Sequence, residues 1–422
     1  MKLRNGQLFR SETVRNCFTL LSAGSLSQLI AIVVYPIVTR QYNPDELGVL
    51  SLFLSIVGVG TILASAKYEP AIMVEKNERD AAAVFDLCFV INIALCLFIL
   101  VAFVFFKPLI VSTFQLDSIA EFLYFIPLLI FLSAFGFVFT YWLNRNNRFR
   151  VTARYNLVQS TTNSSLKIVF GTLGFTRWGL IASTVLGQLI GVFSIFLQKK
   201  DYNRLFKFDR FRIKTVAVRQ VDFPKYTLPH SFINTLAGNL PIMILAAYFN
   251  MPQVGLFSLG ITVGFKPITL FAGSINQVLF QRVSQHKTQG IDSYPLLKNF
   301  CKKVLFIGLP AVVVLYFTLP SLVCWIFGTE WIEAGEYMQL MLPWFFAVLL
   351  ASPLSFMPAV AAQQRKAMLL EIAYTVLRIS ALFIGVLSGD IRTAIMLFSL
   401  VSAGFVFGIL FWYLSLAKNI EK

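Results

Sequence analysis

Three basic side chains stand where a chain seldom tolerates charge. Lys167 lies in NSSLKIVFGTLG, Lys266 in GFKPITLF and Arg378 in a segment that is otherwise largely apolar. Lys167 follows Arg154 by 13 residues and Arg378 follows Lys366 by 12. At helical rise those separations place them roughly 20 and 18 Å along their helices. An ionised group at such depth in hydrocarbon costs from a few to more than ten kcal/mol, so it is retained for a partner or a function. Two chemistries fit. The cations can close internal salt bridges, as Arg378 could with Glu371 two turns earlier, or they can meet an anion inside the membrane. Ser160, Asn163, Ser164, Lys167, Gly171 and Gly174 recur at three- and four-residue steps. That spacing puts them on one helix face, expected to look into a polar cleft. Glu371, Thr375, Arg378 and Gly385 make a similar stripe. Pro267 follows Lys266 and should kink its helix.

The elements that must position these residues follow from composition. The chain has 422 residues, 57% hydrophobic and only 13% charged, with a mean hydropathy of +0.73. Its apolar runs of about 20 residues match the hydrocarbon slab as helices, whereas barrel strands would alternate over short segments. The expectation is an all-α polytopic membrane protein of twelve spans. They fall near 17–39, 47–66, 84–106, 119–142, 155–175, 179–197, 226–249, 254–280, 303–327, 337–360, 368–388 and 393–416. The basic start, MKLRNGQLFRSETVR, precedes a first span too long for a signal-peptide core, so that span reads as retained.

The net charge of +16 invites a nucleic-acid reading, which the position of the cations removes. With a cytoplasmic N-terminus, 29 of the 36 lysines and arginines fall on the inner side and four in outer loops. Such a bias is an orientation signal and puts both termini in the cytoplasm. The remaining three are Lys167, Lys266 and Arg378.

The polar stretch 198–225 divides the chain into lobes at 1–197 and 226–422, and is expected to be a basic cytoplasmic linker. The lobes echo each other. PIVTRQYNPDELGVLSL at 36–52 recurs as PIMILAAYFNMPQVGLFSL at 241–259, aligning Pro36 with Pro241, Gly48 with Gly255 and Ser51 with Ser258. NRFRVTARYN after span four is echoed by QRKAMLLEIAY after span ten. An even number of spans per half keeps both repeats in one orientation, which predicts two parallel six-helix lobes around a central cleft.

Enzyme chemistry is scarce. His230 and His286 have no carboxylate or cysteine pattern around them, and His286 reads as a solvated loop residue. Cys17, Cys88, Cys96, Cys301 and Cys324 show no ligand spacing, and no glycine-rich phosphate loop is present. Outer loops are short, leaving no room for a catalytic domain there. Lys67 and Glu69, near the inner end of span two, could gate the cleft or mark the interface, and Glu371 joins them as a candidate gate or coupling residue. Glu69, Asp86 and Glu371 are the acids near the bilayer that could bind a coupling proton or sodium ion. Pro224, Pro229 and Pro241 around span seven suggest a bent or broken helix.

DFPKYTLPHSFINTLAGNLPIMILAAYFNMPQVGLFSLG resembles the start of the second lobe in bacterial oligosaccharide flippases. These are the O-antigen and capsule repeat-unit translocases of the multidrug/oligosaccharidyl-lipid/polysaccharide exporter superfamily. KYEPAIMVEKNERDAA, KPITLFAGSINQVLFQRVSQ and IFGTEWIEAGEYMQLMLPWFFAVLLASPLS resemble the same family, so the likeness runs over nearly the whole chain. It implies a bacterial inner-membrane flippase that turns an oligosaccharide on undecaprenyl diphosphate from the cytoplasmic to the periplasmic leaflet by alternating access. It also implies no cofactor, the bilayer and polysaccharide polymerase machinery as candidate partners, and a diphosphate for Lys167, Lys266 and Arg378 to hold. A multidrug antiporter of the same fold is the alternative, disfavoured because spans one and seven contain no Asp or Glu. A membrane glycosyltransferase or polymerase is a more distant one.

Overall fold

A computed structural model describes residues 12–197, 202 and 205–419, without the side chains of 12–25 and 419. A helix lies over each of the twelve expected spans: α1 (Glu12–Thr39), α2 (Pro44–Leu63), α3 (Glu78–Phe114), α4 (Phe125–Arg145), α5 (Phe149–Thr172), α6 (Arg177–Phe196), α7 (Phe223–Tyr248), α8 (Met251–Gln289), α9 (Tyr294–Phe327), α10 (Ile332–Ala351), α11 (Gln364–Val386) and α12 (Ile391–Asn419). Among the described residues ten helices are long and apolar enough to cross a membrane, and Leu26–Thr39 of α1 is a shorter apolar helix. The helix α5 is not among the ten, because Arg150, Arg154, Asn163 and Lys167 dilute its apolar content. Several helices outrun the expected spans, α3, α8 and α9 most of all.

Two compact units divide the chain, Met1–Met243 and Ile244–Lys422, with the boundary inside α7. In the first, α5 packs against α1 and α6, and α4 packs against α2 and α3. The α5–α6 contact is close because Gly187 lacks a side chain: a Cβ there would lie 2.8 Å from Asn163 Cβ. Small residues at such crossings let helix backbones approach where lipid supplies no hydrophobic drive. An aromatic core of Phe85, Phe135, Phe139 and Trp142 fills the end of the unit where α3 begins, with Phe85 and Phe139 edge to face at 4.9 Å. In the second unit, α10 packs against α8, α9 and α12, and α11 against α12. A Cβ at Gly335 would lie 2.5 Å from Pro320 Cα, the same device at the α9–α10 contact.

The repeat seen in the sequence occupies matching places. Asn43 caps α2, its side chain accepting from Glu46 N at 3.0 Å while Glu46 answers to Asn43 N. Asn250 caps α8, accepting from Gln253 N at 3.1 Å. Gly48 and Gly255 each lie five residues past their cap. Proline shapes three helices. In α3, Phe106 leaves helical geometry two residues before Pro108, because Pro108 has no N–H for the preceding turn. In α7 and α8 the chain widens into π turns, Phe223–Thr227 and Gly260–Phe265. Leu228 N–H donates to Phe223 O and Lys266 N–H to Ile261 O, and each donor immediately precedes a proline, Pro229 or Pro267. A π turn re-pairs backbone groups that a proline would strand.

Two expectations need correction. The 198–225 stretch is not all loop: its described part contains a helix, Arg210–Arg219, started by Asp209, which accepts from Phe211 N and Arg212 N. His286 is not in a loop either. It is half-buried in the last turn of α8, where a basic group suits the negative end of the helix dipole.

Candidate functional site

In the first unit Lys167 is half-buried on α5. Its carbonyl accepts the Tyr42 hydroxyl at 2.9 Å, tying α5 to the turn between α1 and α2. The polar stripe around it divides between neighbours. Ser160 Oγ donates to Ser27 O of α1 at 2.8 Å, a Cβ on Gly171 would run into Gln41, and Asn163 lies against Gly187 of α6. Gly174 falls beyond the helix, in a turn with φ +76°, so the stripe ends at Gly171. Asn163 Oδ1 and Gln41 Oε1 are buried with no hydrogen-bond partner among the described residues. Nearby, Gln159 Nε2 donates to Gln188 Oε1 at 2.6 Å, and Gln188 donates to the Tyr155 hydroxyl at 2.9 Å. The seam between α1, α5 and α6 is therefore polar along much of its length.

In the second unit an aromatic path links the neighbourhoods of the other two cations. Phe265, next to Lys266, stacks on Trp344 with centroids 4.5 Å apart. The Trp344 indole N–H donates to the Tyr374 hydroxyl at 3.1 Å. Tyr374 stacks on Phe405 at 5.4 Å and carries the Arg378 guanidinium over its ring, 4.8 Å from the centroid. Such a cation–π contact holds a guanidinium in place without neutralising it. Lys266 itself is exposed on the protein surface, Arg378 is half-buried, and Glu371 is exposed.

Lys67 and Glu69 are in contact, Nζ to Oε1 at 3.1 Å, and Glu69 also accepts the Ser65 hydroxyl at 2.5 Å. Glu69 is buried. The turn that presents them is strained: Ala66 and Lys67 both have left-handed φ, +47° and +58°. Non-glycine residues in that region cost on the order of 1–3 kcal/mol each and recur at functional sites. His230 is exposed on α7. Cys88, Cys96, Cys301 and Cys324 are free thiols, and Cys17 lies outside the described side chains. No cluster of three metal-ligating side chains occurs among the described residues.

Sequence reasoning missed a latch where α3 begins. Asp86 is buried in α3 and accepts backbone N–H groups of Phe206 at 2.8 Å and Phe208 at 3.0 Å. Both of those residues have left-handed φ, so the chain folds around the carboxylate. Asp80 pairs with Arg212 and Arg219, Glu75 with Arg219 and Gln220, and the Tyr68 hydroxyl with Ala217 O. A cavity of about 380 Å³ beside Asp86 is lined by Arg79, Lys207, Asp209 and Arg212 among others. This geometry gives Asp86 a structural role. The partners lie more than 100 residues away in sequence, and only the excess of basic residues in 198–225 hinted at acids waiting elsewhere.

The long apolar helices make this the fold of a polytopic helical membrane protein. Two solved structures have the same fold. A multidrug resistance MATE family transporter of the MOP superfamily, in its inward-facing conformation, aligns with a TM-score of 0.70 at 16% identity, over 96% of this chain and 98% of its own. The lipid II flippase MurJ, in an inward closed conformation, aligns with a TM-score of 0.75 at 13% identity, over 95% of this chain and 89% of its own. A family model described as polysaccharide biosynthesis protein matches residues 37–336. The chain belongs to that family. Among curated relatives, the succinoglycan biosynthesis transport protein ExoT of Rhizobium meliloti is 22% identical over 312 residues, covering 73% of this chain and 61% of its own. An uncharacterized membrane protein in the cps region of Klebsiella pneumoniae is 23% identical over 331 residues, covering 75% of this chain and 65% of its own. The chain thus spans less than two thirds of the length of these relatives.

Proposed function

We propose that the protein is a flippase for a lipid-linked oligosaccharide, moving an undecaprenyl-diphosphate-linked repeat unit from the cytoplasmic to the periplasmic leaflet of the bacterial inner membrane for surface polysaccharide assembly. The observation that carries this reading is Arg378 held over Tyr374 on the aromatic path that begins beside Lys266, both cations lying in helices long and apolar enough to cross a membrane. A diphosphate is the anion such groups suit: strongly charged, and unable to cross hydrocarbon unaided. The likeness to a succinoglycan biosynthesis transport protein, and the fold shared with the lipid II flippase MurJ, support the same reading. In this reading Lys167, Lys266 and Arg378 are the candidate cations for the diphosphate, each such contact worth about 1.5–3 kcal/mol as a charge-assisted hydrogen bond. Lys67, Glu69 and Glu371 are the candidate gate or coupling groups, and both termini are cytoplasmic.

A second reading, a multidrug antiporter, draws on the MATE fold. One experiment separates the two. Deleting the gene and analysing lipid extracts by mass spectrometry should reveal an accumulated undecaprenyl-linked oligosaccharide if the flippase reading holds. Unchanged lipid intermediates together with increased drug sensitivity would establish the antiporter.

A further inference from the structure

The helix Arg210–Arg219 has two faces with different assignments. Its inner face is committed to the first unit: Val216 is buried, Ile213 and Ala217 pack on the aromatic core, and Arg212 and Arg219 pair with Asp80 and Glu75. Its outer face repeats at helical spacing through Phe211, Lys214, Thr215 and Val218, all exposed. Phe211 is 81% exposed and Val218 69%. Exposed apolar side chains elsewhere lie mostly within membrane-length helices, where lipid covers them, whereas these two stand on a ten-residue helix outside any such span. Lys207 and Arg210 flank the stripe, and neither they nor Lys214 form an ion pair among the described residues.

We propose that this outer face docks on the anionic phospholipid surface of the protein's own bilayer. The segment is tethered at both ends to membrane-length helices, α6 ending at Phe196 and α7 starting at Phe223, so the lipid surface is the partner always within reach. Its chemistry is complementary. Phe211 and Val218 enter the headgroup region while Lys207, Arg210 and Lys214 meet lipid phosphates, the pattern of an interfacial amphipathic helix. Lys225, over the ring of exposed Tyr226 at the entrance to α7, continues the basic, aromatic edge.

The test uses the full-length protein with its five native cysteines replaced and Thr215→Cys carrying an environment-sensitive fluorophore. It is reconstituted in vesicles of phosphatidylcholine, with or without phosphatidylglycerol. With phosphatidylglycerol present, the label should be quenched by a headgroup-level lipid-borne quencher and shielded from aqueous iodide. Neutralising Lys207, Arg210 and Lys214 to Gln should weaken that partition about fivefold per cation. A label that iodide reaches equally in both vesicle types would overturn the proposal, as would burial that ignores both lipid charge and the substitutions. Should the triple variant not stay monodisperse, the comparison of the two vesicle types with the native cations decides alone.

Discussion

Replacing Tyr374 by Phe removes one hydroxyl and leaves the ring. Trp344, only 4% exposed, then loses the acceptor that its indole N–H holds at 3.1 Å. A buried donor left unsatisfied costs about 1–3 kcal/mol, a shift of roughly five- to more than a hundredfold in the folded ratio. The ring still carries Arg378 and still stacks on Phe405, so those contributions remain, the cation–π one about 0.5–2 kcal/mol. Tyr374→Leu removes the ring as well and should cost more. The assay is thermal unfolding in lipid nanodiscs, paired with surface polysaccharide measured at matched protein level. Tyr374→Phe should lower the midpoint while export per protein is kept, because Arg378 keeps its platform. Tyr374→Leu should lower both. A Phe variant as stable as the parent would mean that the buried indole N–H does not depend on the Tyr374 hydroxyl. Full export per protein by the Leu variant would refute the claim that the ring positions Arg378.

Other consequences follow from single contacts. Asp86→Asn keeps one acceptor for two backbone amides and should loosen the 205–209 segment, seen as faster proteolysis there and a stability loss of about 1.5–3 kcal/mol. Ala66→Gly relieves a left-handed residue and should raise the unfolding midpoint, by up to about 1 kcal/mol in stability, whereas Ala66→Val should lower it. Asp390 caps α12 by accepting the Thr393 hydroxyl and the Thr393 and Arg392 amides, which hold its carboxyl below its ordinary range. With the folded value depressed, its contribution is present above the unfolded pKa of about 3.9 and lost as pH falls through the folded one. Protection of the Thr393 amide, measured against its intrinsic exchange rate at each pH, should therefore fall in that acid window, and Asp390→Ala should remove the dependence.

The helices were legible because about twenty apolar residues in a row have few alternatives in a membrane. Even α5, too polar to count among the ten apolar helices, lies over the span expected at 155–175. The repeat was legible through Pro36, Gly48 and Ser51, and the structure adds the reason for the register, a pair of asparagine caps at Asn43 and Asn250. Pro267 announced a disturbance in α8 but not its form, since a proline states which N–H is missing and not how the chain re-pairs the carbonyls. The latch around Asp86 was illegible because a carboxylate 120 residues from the amides it binds leaves no local pattern. The aromatic path from Phe265 to Arg378 was equally hidden, as four helices contribute one ring each.

Surface polysaccharide per unit of membrane protein in Lys167→Glu, set beside Lys167→Ala, tests whether Lys167 meets the diphosphate. Losing one phosphate contact costs about 1.5–3 kcal/mol, and a carboxylate adds repulsion. Export should fall in Lys167→Ala and further in Lys167→Glu, with protein levels held. Normal export by Lys167→Glu would mean that Lys167 holds no phosphate.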